Sequence, residues 1–385
     1  MKKAFPPETR VARWHRWGTV CMAWVLVCAG ASAAALAQDP INSPDATRSL
    51  YLPAAEEPAA EPAVEQGPAI EPALTLDALS MDTIVGAIGE EGGGGAAAPA
   101  GEPAKAPAGD GPCLPLFTVE GTGGGLIVPM AYLVNPGPPG TKVGLPTAGF
   151  TFVKIGKTKN MQQFSLSETF FRRVELSYAM DVMTLGNFKD DVRTAFGVDV
   201  GDHVTMHVFN LRGLLIEETP TIPAVTAGVS FKYTDGVQRI DRRLNGALNG
   251  MGVERANGTD FTLHASKMFP KLAFGRPLIL NGGARFSQGA QLGLLGFGEA
   301  YKLTGEGSVC VLVTDWLGVV YEFRQKRNSI GTAGDLVRGE DNWHAIDLAF
   351  LINEHMAIAC GWGHFGGVAN EIEDGVWGFE FKYEF

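Results

Sequence analysis

The chain has 385 residues, 45% of them hydrophobic and 19% charged, with a net charge of −11. Such values exclude a fully disordered polypeptide and a nucleic-acid binder that relies on bulk positive charge. Fifty glycines against five cysteines argue against a disulfide-stapled scaffold.

Charge is uneven along the chain: +4 over residues 1–37, −11 over 38–112 and −4 over 113–385. The first segment has the three parts of a secretory signal. Lys2, Lys3, Arg10, Arg13 and Arg16 form a basic region, Val20 to Ala29 is apolar, and Ala35 and Ala37 supply small residues before Gln38. An uncleaved anchor helix is the alternative, weakened by Gly30, Ser32 and a run of Ala. Residues 38–112 are rich in Ala, Pro, Glu and Gly and poor in large apolar side chains. The expectation there is a largely disordered acidic linker. Within it, Leu74, Leu76, Leu79, Met81, Ile84 and Ile88 could form a short amphipathic helix, either transient or a docking motif for a partner or the cell wall.

Beyond Cys113 the pattern changes to segments of about ten residues that alternate with period two between turn residues. In the last segment Trp377, Phe379, Phe381, Tyr383 and Phe385 share one face, and Glu380, Lys382 and Glu384 the other. Val174, Leu176, Tyr178, Met180 and Val182 likewise oppose Arg173, Glu175 and Asp181. Leu317, Val319, Tyr321 and Phe323 oppose Glu322, Arg324 and Lys326, and the segment Val225 to Tyr233 places Lys232 on its polar face. Two architectures satisfy this alternation: a soluble sandwich, or a membrane barrel with apolar residues facing lipid and polar residues facing the lumen. Segment length favours the barrel. Trp377 and Phe385 are eight residues apart, which at ~3.3 Å per residue and ~40° tilt gives a height of roughly 20 Å between aromatic girdles.

The predicted fold is therefore all-β: an antiparallel transmembrane β-barrel of 12–14 strands over residues 113–385, preceded by the disordered linker. Fourteen segments are placed, at 146–156, 159–169, 171–183, 190–201, 203–216, 223–234, 259–268, 278–286, 294–303, 306–314, 316–327, 341–351, 355–365 and 375–385. Counting them back from the C-terminus puts the long basic connection 235–258 on the periplasmic side, where short turns are expected. Ile240, Leu244 and Leu248 recur there at helical spacing, so the connection is either a surface helix or an inward plug. Gly121 to Gly125 reads as a flexible entry to the barrel.

The terminal run Phe379-Glu380-Phe381-Lys382-Tyr383-Glu384-Phe385 resembles the signal read by the outer-membrane barrel assembly machinery. A second resemblance, over roughly residues 117–385, is to an uncharacterised family, domain of unknown function 3034. It is carried by Thr118-Val119-Glu120-Gly121 with Gly123-Gly124-Gly125-Leu126, Val174-Glu175-Leu176-Ser177-Tyr178, Gly258-Thr259-Asp260-Phe261 and Gly293-Leu294-Leu295-Gly296-Phe297-Gly298. That resemblance implies a Gram-negative envelope protein and brings no established activity; the long linker departs from it.

Enzyme signatures are missing from the sequence: no G-x-S-x-G elbow, P-loop or H-E-x-x-H motif occurs. His203 and His207 would stand roughly 13 Å apart on a strand, too far for one metal. His264, His344, His355 and His364 are placed at or near strand ends, at the interface. No cofactor is expected. The candidate lumen residues are the bases Arg173, Lys232, Arg285, Arg324, Lys326 and Lys382 and the acids Glu175, Asp181, Glu322, Asp347, Glu380 and Glu384. Glu322, Arg324, Lys326 and residues 235–258 are the candidate constriction, and the balance of charge predicts weak ion selectivity. The leading expectation is an outer-membrane diffusion channel for small solutes, embedded in outer-membrane lipid, with its N-terminal arm in the periplasm. The alternatives are a closed barrel with a structural or interaction role and a lipid-modifying barrel enzyme.

Overall fold

The computed structural model describes residues 113–333, 336–373 and 375–385. The leader, the acidic linker and the 74–88 helix expected from the sequence lie outside the described residues. Among the described residues, twelve long antiparallel strands close into a barrel. In chain order they are β1 Thr147–Ile155, β2 Lys159–Phe170, β3 Val174–Thr184, β4 His203–Ile216, β5 Ala224–Asp235 and β6 Asn257–Ala273. The second half comprises β7 Arg276–Gly289, β8 Phe297–Leu312, β9 Leu317–Arg324, β10 Glu340–Leu351, β11 Met356–Val368 and β12 Val376–Glu384. Each strand pairs with its sequence neighbours, and β12 returns to β1 with Phe379 opposite Phe152 and Phe381 opposite Phe150. Closure leaves no unpaired edge, as a lipid environment demands, and rules out the sandwich.

The side-chain period of two sorts the residues. Phe164, Leu176, Phe209, Phe231, Leu263, Ile346, Trp362 and Trp377 point outward and are exposed. Gln163, Glu175, Asp181, Arg212, Lys232, Asp260 and Glu322 point inward and are buried. This inverts the ordinary globular arrangement, and an apolar band around a polar interior marks an outer-membrane-type barrel.

The expected strand count falls to twelve for two physical reasons. Residues 190–201 contain no strand: Phe188–Phe196 is a helix, α1, followed by Gly197 in the left-handed conformation with its N–H bonded to the Arg193 carbonyl. Val192, Val198 and Val200 mimic alternation there. Asp190 and Asp191 in the first turn, the i, i+4 pair Phe188 and Val192 facing inward, and the glycine stop are helix signals. The segments 294–303 and 306–314 are one strand, β8, which runs through Gly305 and Gly307 in continuous register with β7. Those glycines look like breakers in the sequence, yet Gly307 lies opposite Gly282, where the two chains need little side-chain space.

Twelve strands also change the end of the barrel to which residues 235–258 belong. Both chain ends of the barrel and the tight connections 171–173, 274–275, 313–316 and 352–355 lie at one end, the terminal end. The long connections 185–202, 236–256 and 325–339 lie at the other, the loop end. Residues 235–258 therefore belong to the loop end. They fold as two short helices, α2 Val237–Arg243 and α3 Ala247–Gly250. Val237, Ile240 and Leu248 line an apolar cluster with Leu185, Phe188 and Leu294, so this segment caps the rim and does not plug the lumen.

The outward and inward placement of tryptophans gives a direct check. In single-tryptophan variants reconstituted in vesicles of brominated lipid, fluorescence of the outward Trp362 and Trp377 should be strongly quenched. That of the inward Trp343, stacked on Phe365 at 4.0 Å, should be nearly unaffected.

Candidate functional site

The lumen is occupied by the chain itself. Residues 113–134 enter from the terminal end, where Lys382 Nζ donates to the Pro115 carbonyl at 2.5 Å. They reach their deepest point at Glu120 and turn back past Glu322 and Arg212 toward Thr169 and the start of the barrel. Nearly every residue of this segment is buried. The turn is the glycine-rich stretch read from the sequence as a flexible entry, and its glycines are required by close approach. A Cβ on Gly121 would meet Ala179 Cβ at 2.5 Å, and one on Gly125 would meet the Glu322 carboxylate at 2.5 Å. Gly121 also adopts φ +75°, which only glycine occupies without strain.

A chain inside a lumen must have its backbone polar groups satisfied there. The wall does this with side chains. The amides of Ile127 and Val128 donate to the two oxygens of Glu322 at 2.9 and 2.7 Å, that of Phe117 to Glu380 at 2.9 Å, and that of Val134 to Glu175 at 2.7 Å. In the other sense, Arg212 donates to the carbonyls of Gly123 and Tyr132 at 2.8 and 2.7 Å. Gln163 donates to Thr118, Asn210 to Glu120 and Asn281 to Pro129, at 3.0, 2.8 and 2.9 Å. Leu116, Phe117, Val119, Leu126, Ile127 and Val128 of the plug are buried alongside.

At the plug tip lies an ion-pair network. Glu120 is bound by Lys232, by Arg285 at 2.9 Å and by Arg324 at 2.8 Å. Lys232 also meets Asp260 at 2.6 Å; Arg285 meets Asp260 at 3.0 Å and Glu306 at 3.3 Å; Arg324 meets Glu306 at 2.9 Å. His264 lies 2.8 Å from Glu306. Three basic and three acidic side chains thus balance in a buried site, with the plug supplying one of the acids. Lys232 and Thr234 additionally donate to the carbonyls of Leu292 and Gly293 at 3.0 and 2.7 Å, which ties the network to the loop-end cap.

Of the lumen residues expected from sequence, Glu175, Asp181, Lys232, Arg285, Glu322, Arg324, Asp347, Glu380 and Lys382 are buried inside the barrel. Asp181 lies against Gln163, and Asp347 against Glu322. Glu384 sits at the terminal end, 2.5 Å from Lys382. Lys326 lies beyond the end of β9, where it meets Glu340 at 2.7 Å and the Trp343 ring. Arg173 is a correction: it belongs to the tight turn before β3, is 51% exposed, and pairs with Glu217 outside the lumen. His264 is another. It lies inside the barrel within β6, not at the interface.

Sequence reasoning missed Arg212, Asp260, Glu306 and, above all, Glu120. Arg212 follows Val208 and Asn210 on the inward face of β4 and was open to the same alternation argument. Glu306 fell at the false boundary inside β8. Among the described residues no group of three or more His, Cys, Asp or Glu side chains is placed to hold a metal ion.

The tip network makes a quantitative contrast. Glu120→Gln leaves buried cations short of a counter-charge and should lower stability by ~3–5 kcal/mol, whereas Arg173→Gln removes an exposed pair worth ~0–1 kcal/mol. Urea unfolding of the two variants in detergent micelles measures the difference.

None of the curated proteins matches this chain. Among solved structures, it is similar to the KdgM porin in complex with disordered oligogalacturonate, at 9% identity over 62% of this chain and 99% of that one, TM-score 0.38. It is also similar to the COG4313 outer membrane channel from Pseudomonas putida F1, at 12% identity over 64% and 99%, TM-score 0.35. A Pseudomonas aeruginosa FadL homologue matches at 12% identity over 71% and 100%, TM-score 0.32. A family model described as "Protein of unknown function (DUF3034)" covers residues 115–379, the plug together with nearly the whole barrel, and the chain belongs to that family.

Proposed function

We propose that the protein is an outer-membrane diffusion channel for small solutes that is closed at rest by its own N-terminal segment. One observation carries this reading: along the stem, polar side chains of the wall such as Glu322, Glu175 and Arg212 are paired with the backbone of residues 113–134. A wall built that way can exchange the plug for water without leaving its polar groups unsatisfied, because water donates and accepts in the same places. A barrel meant only as a scaffold has no need of so polar an interior.

Magnitudes decide the resting state. Six buried apolar side chains on the plug stem contribute ~1.5–3 kcal/mol each as an upper estimate. The closed form therefore dominates, and spontaneous opening is rare. When the lumen opens, transport is size-limited diffusion with no energy source, between walls whose acidic and basic groups nearly balance. By the usual asymmetry of such barrels, the loop end faces the exterior and the terminal end, with the 38–112 arm, faces the periplasm. The aromatics Trp377, Phe379, Phe381 and Tyr383 of β12, with Phe385 just after it, remain in this reading the signal for the barrel assembly machinery. A closed barrel with a structural role, its acidic arm reaching a periplasmic partner, is favoured by how completely the lumen is filled.

Planar-bilayer recordings separate the two readings. The full chain should give rare openings, and a variant lacking residues 113–134 should conduct steadily. Heat-modifiable gel migration establishes that the shortened barrel has folded; a folded, shortened barrel that never conducts would leave only the structural role.

A further inference from the structure

Above the plug tip, at the loop end, lies a small recess between β7, β8 and the chain following β9. Asp260, Arg285 and Arg324 line it together with Lys302, Lys326 and Arg327. The tip network already balances its own charges, and Lys326 is held by Glu340. Lys302 and Arg327 make no ion pair, so the recess carries two uncompensated positive charges among the described residues. Arg327 is exposed and Lys302 half-buried, which places them on the side open to solvent.

A second observation points to an anionic occupant. Arg324 is 1% exposed and stands within ion-pair distance of Glu120 and Glu306, yet none of its three side-chain nitrogens has a geometrically aligned hydrogen-bond acceptor. A buried guanidinium normally places its donors on acceptors, often in a two-pronged pairing with a carboxylate. Here Arg324 lines the recess while its nitrogens stand beside the Glu120 and Glu306 carboxylates without alignment. The Glu120 carboxylate shows what the site is shaped for: one oxygen meets Lys232 and Arg285, and the other meets Arg285 and Arg324.

We propose that the recess binds a carboxylated small solute from the loop end, whose carboxylate competes with Glu120 for Arg324 and Arg285 and so loosens the plug tip. Glu120 is then a tethered stand-in for the ligand, and the solute acts as the opening signal. No covalent step is involved; one carboxylate replaces another on the same cations. The gating half of this inference rests on the channel reading, while the binding half does not.

Titration calorimetry of citrate into the detergent-folded full chain, at low ionic strength, tests it. Saturable binding is expected, weakened about tenfold or more in Lys302→Gln/Arg327→Gln, and tightened about tenfold in Glu120→Gln, where the internal competitor has lost its charge. The double variant alters two residues outside the ion-pair network, so it keeps the test valid should Glu120→Gln fail to fold. Absence of saturable citrate binding, equal affinity in the double variant, or sulfate binding as tightly as citrate would overturn the proposal. Citrate bound as expected by a barrel whose plug-deleted form never conducts would instead remove the channel and leave the site standing.

Discussion

The structure depends on one constraint: polar groups enclosed by a lipid-facing barrel must find partners inside it. Twelve strands enclose a lumen wide enough for a chain to pass in and back, and this chain fills it with residues 113–134. The inserted backbone has few regular ladder partners of its own beyond the short pairing of Leu116–Phe117 with Gly123–Gly124. Apart from turn hydrogen bonds within the segment, such as Val119 to Leu126 and Gly125 to Val128, its amides and carbonyls turn to wall carboxylates, amides and guanidinium groups. Barrel and plug are thus complementary halves of one hydrogen-bonded interior, and the glycines at the turn let the two approach closely enough to pair.

Charge is distributed to fit. The acids that receive plug amides, Glu175, Glu322 and Glu380, lie along the stem, while Lys232, Arg285 and Arg324 gather around Glu120 at the tip. The stem is held largely by apolar contact and backbone hydrogen bonds, the tip by charge. Such a division makes the tip responsive to ions in a way the stem is not, because an ion pair can be exchanged for another ion pair of similar strength. The same asymmetry appears at the rims. Most of the tight turns lie at the terminal end, and the long connections with α1, α2 and α3 lie at the loop end.

Much of this was legible in the sequence. Period-two alternation with outward aromatics identified the barrel and its faces, and eleven of the twelve proposed lumen charges lie within the barrel or at its ends, Arg173 being lost to a turn. The misread elements have local causes: valines in α1 imitated a strand, and Gly305 imitated a break in β8. The plug was illegible by periodicity, since its conformation is dictated by wall residues up to 267 positions away in the chain, as with Pro115 and Lys382. A composition signal was nevertheless present. Residues 113–134 are apolar, rich in Gly and Pro, show no alternation, and carry a single charge, Glu120. An isolated carboxylate in such a stretch, placed just before a barrel with inward arginines, marks a segment that requires a basic, enclosed partner.

Hydrogen exchange measured by mass spectrometry on the folded full chain tests the central claim most directly. Peptides covering residues 113–134 should exchange as slowly as those from β3 or β9, because the amides of Phe117, Ile127, Val128 and Val134 are bonded to buried wall carboxylates. Exchange of this segment at the rate of an unstructured chain, with the strands fully protected, would show that the lumen is not filled by the chain and would contradict the account.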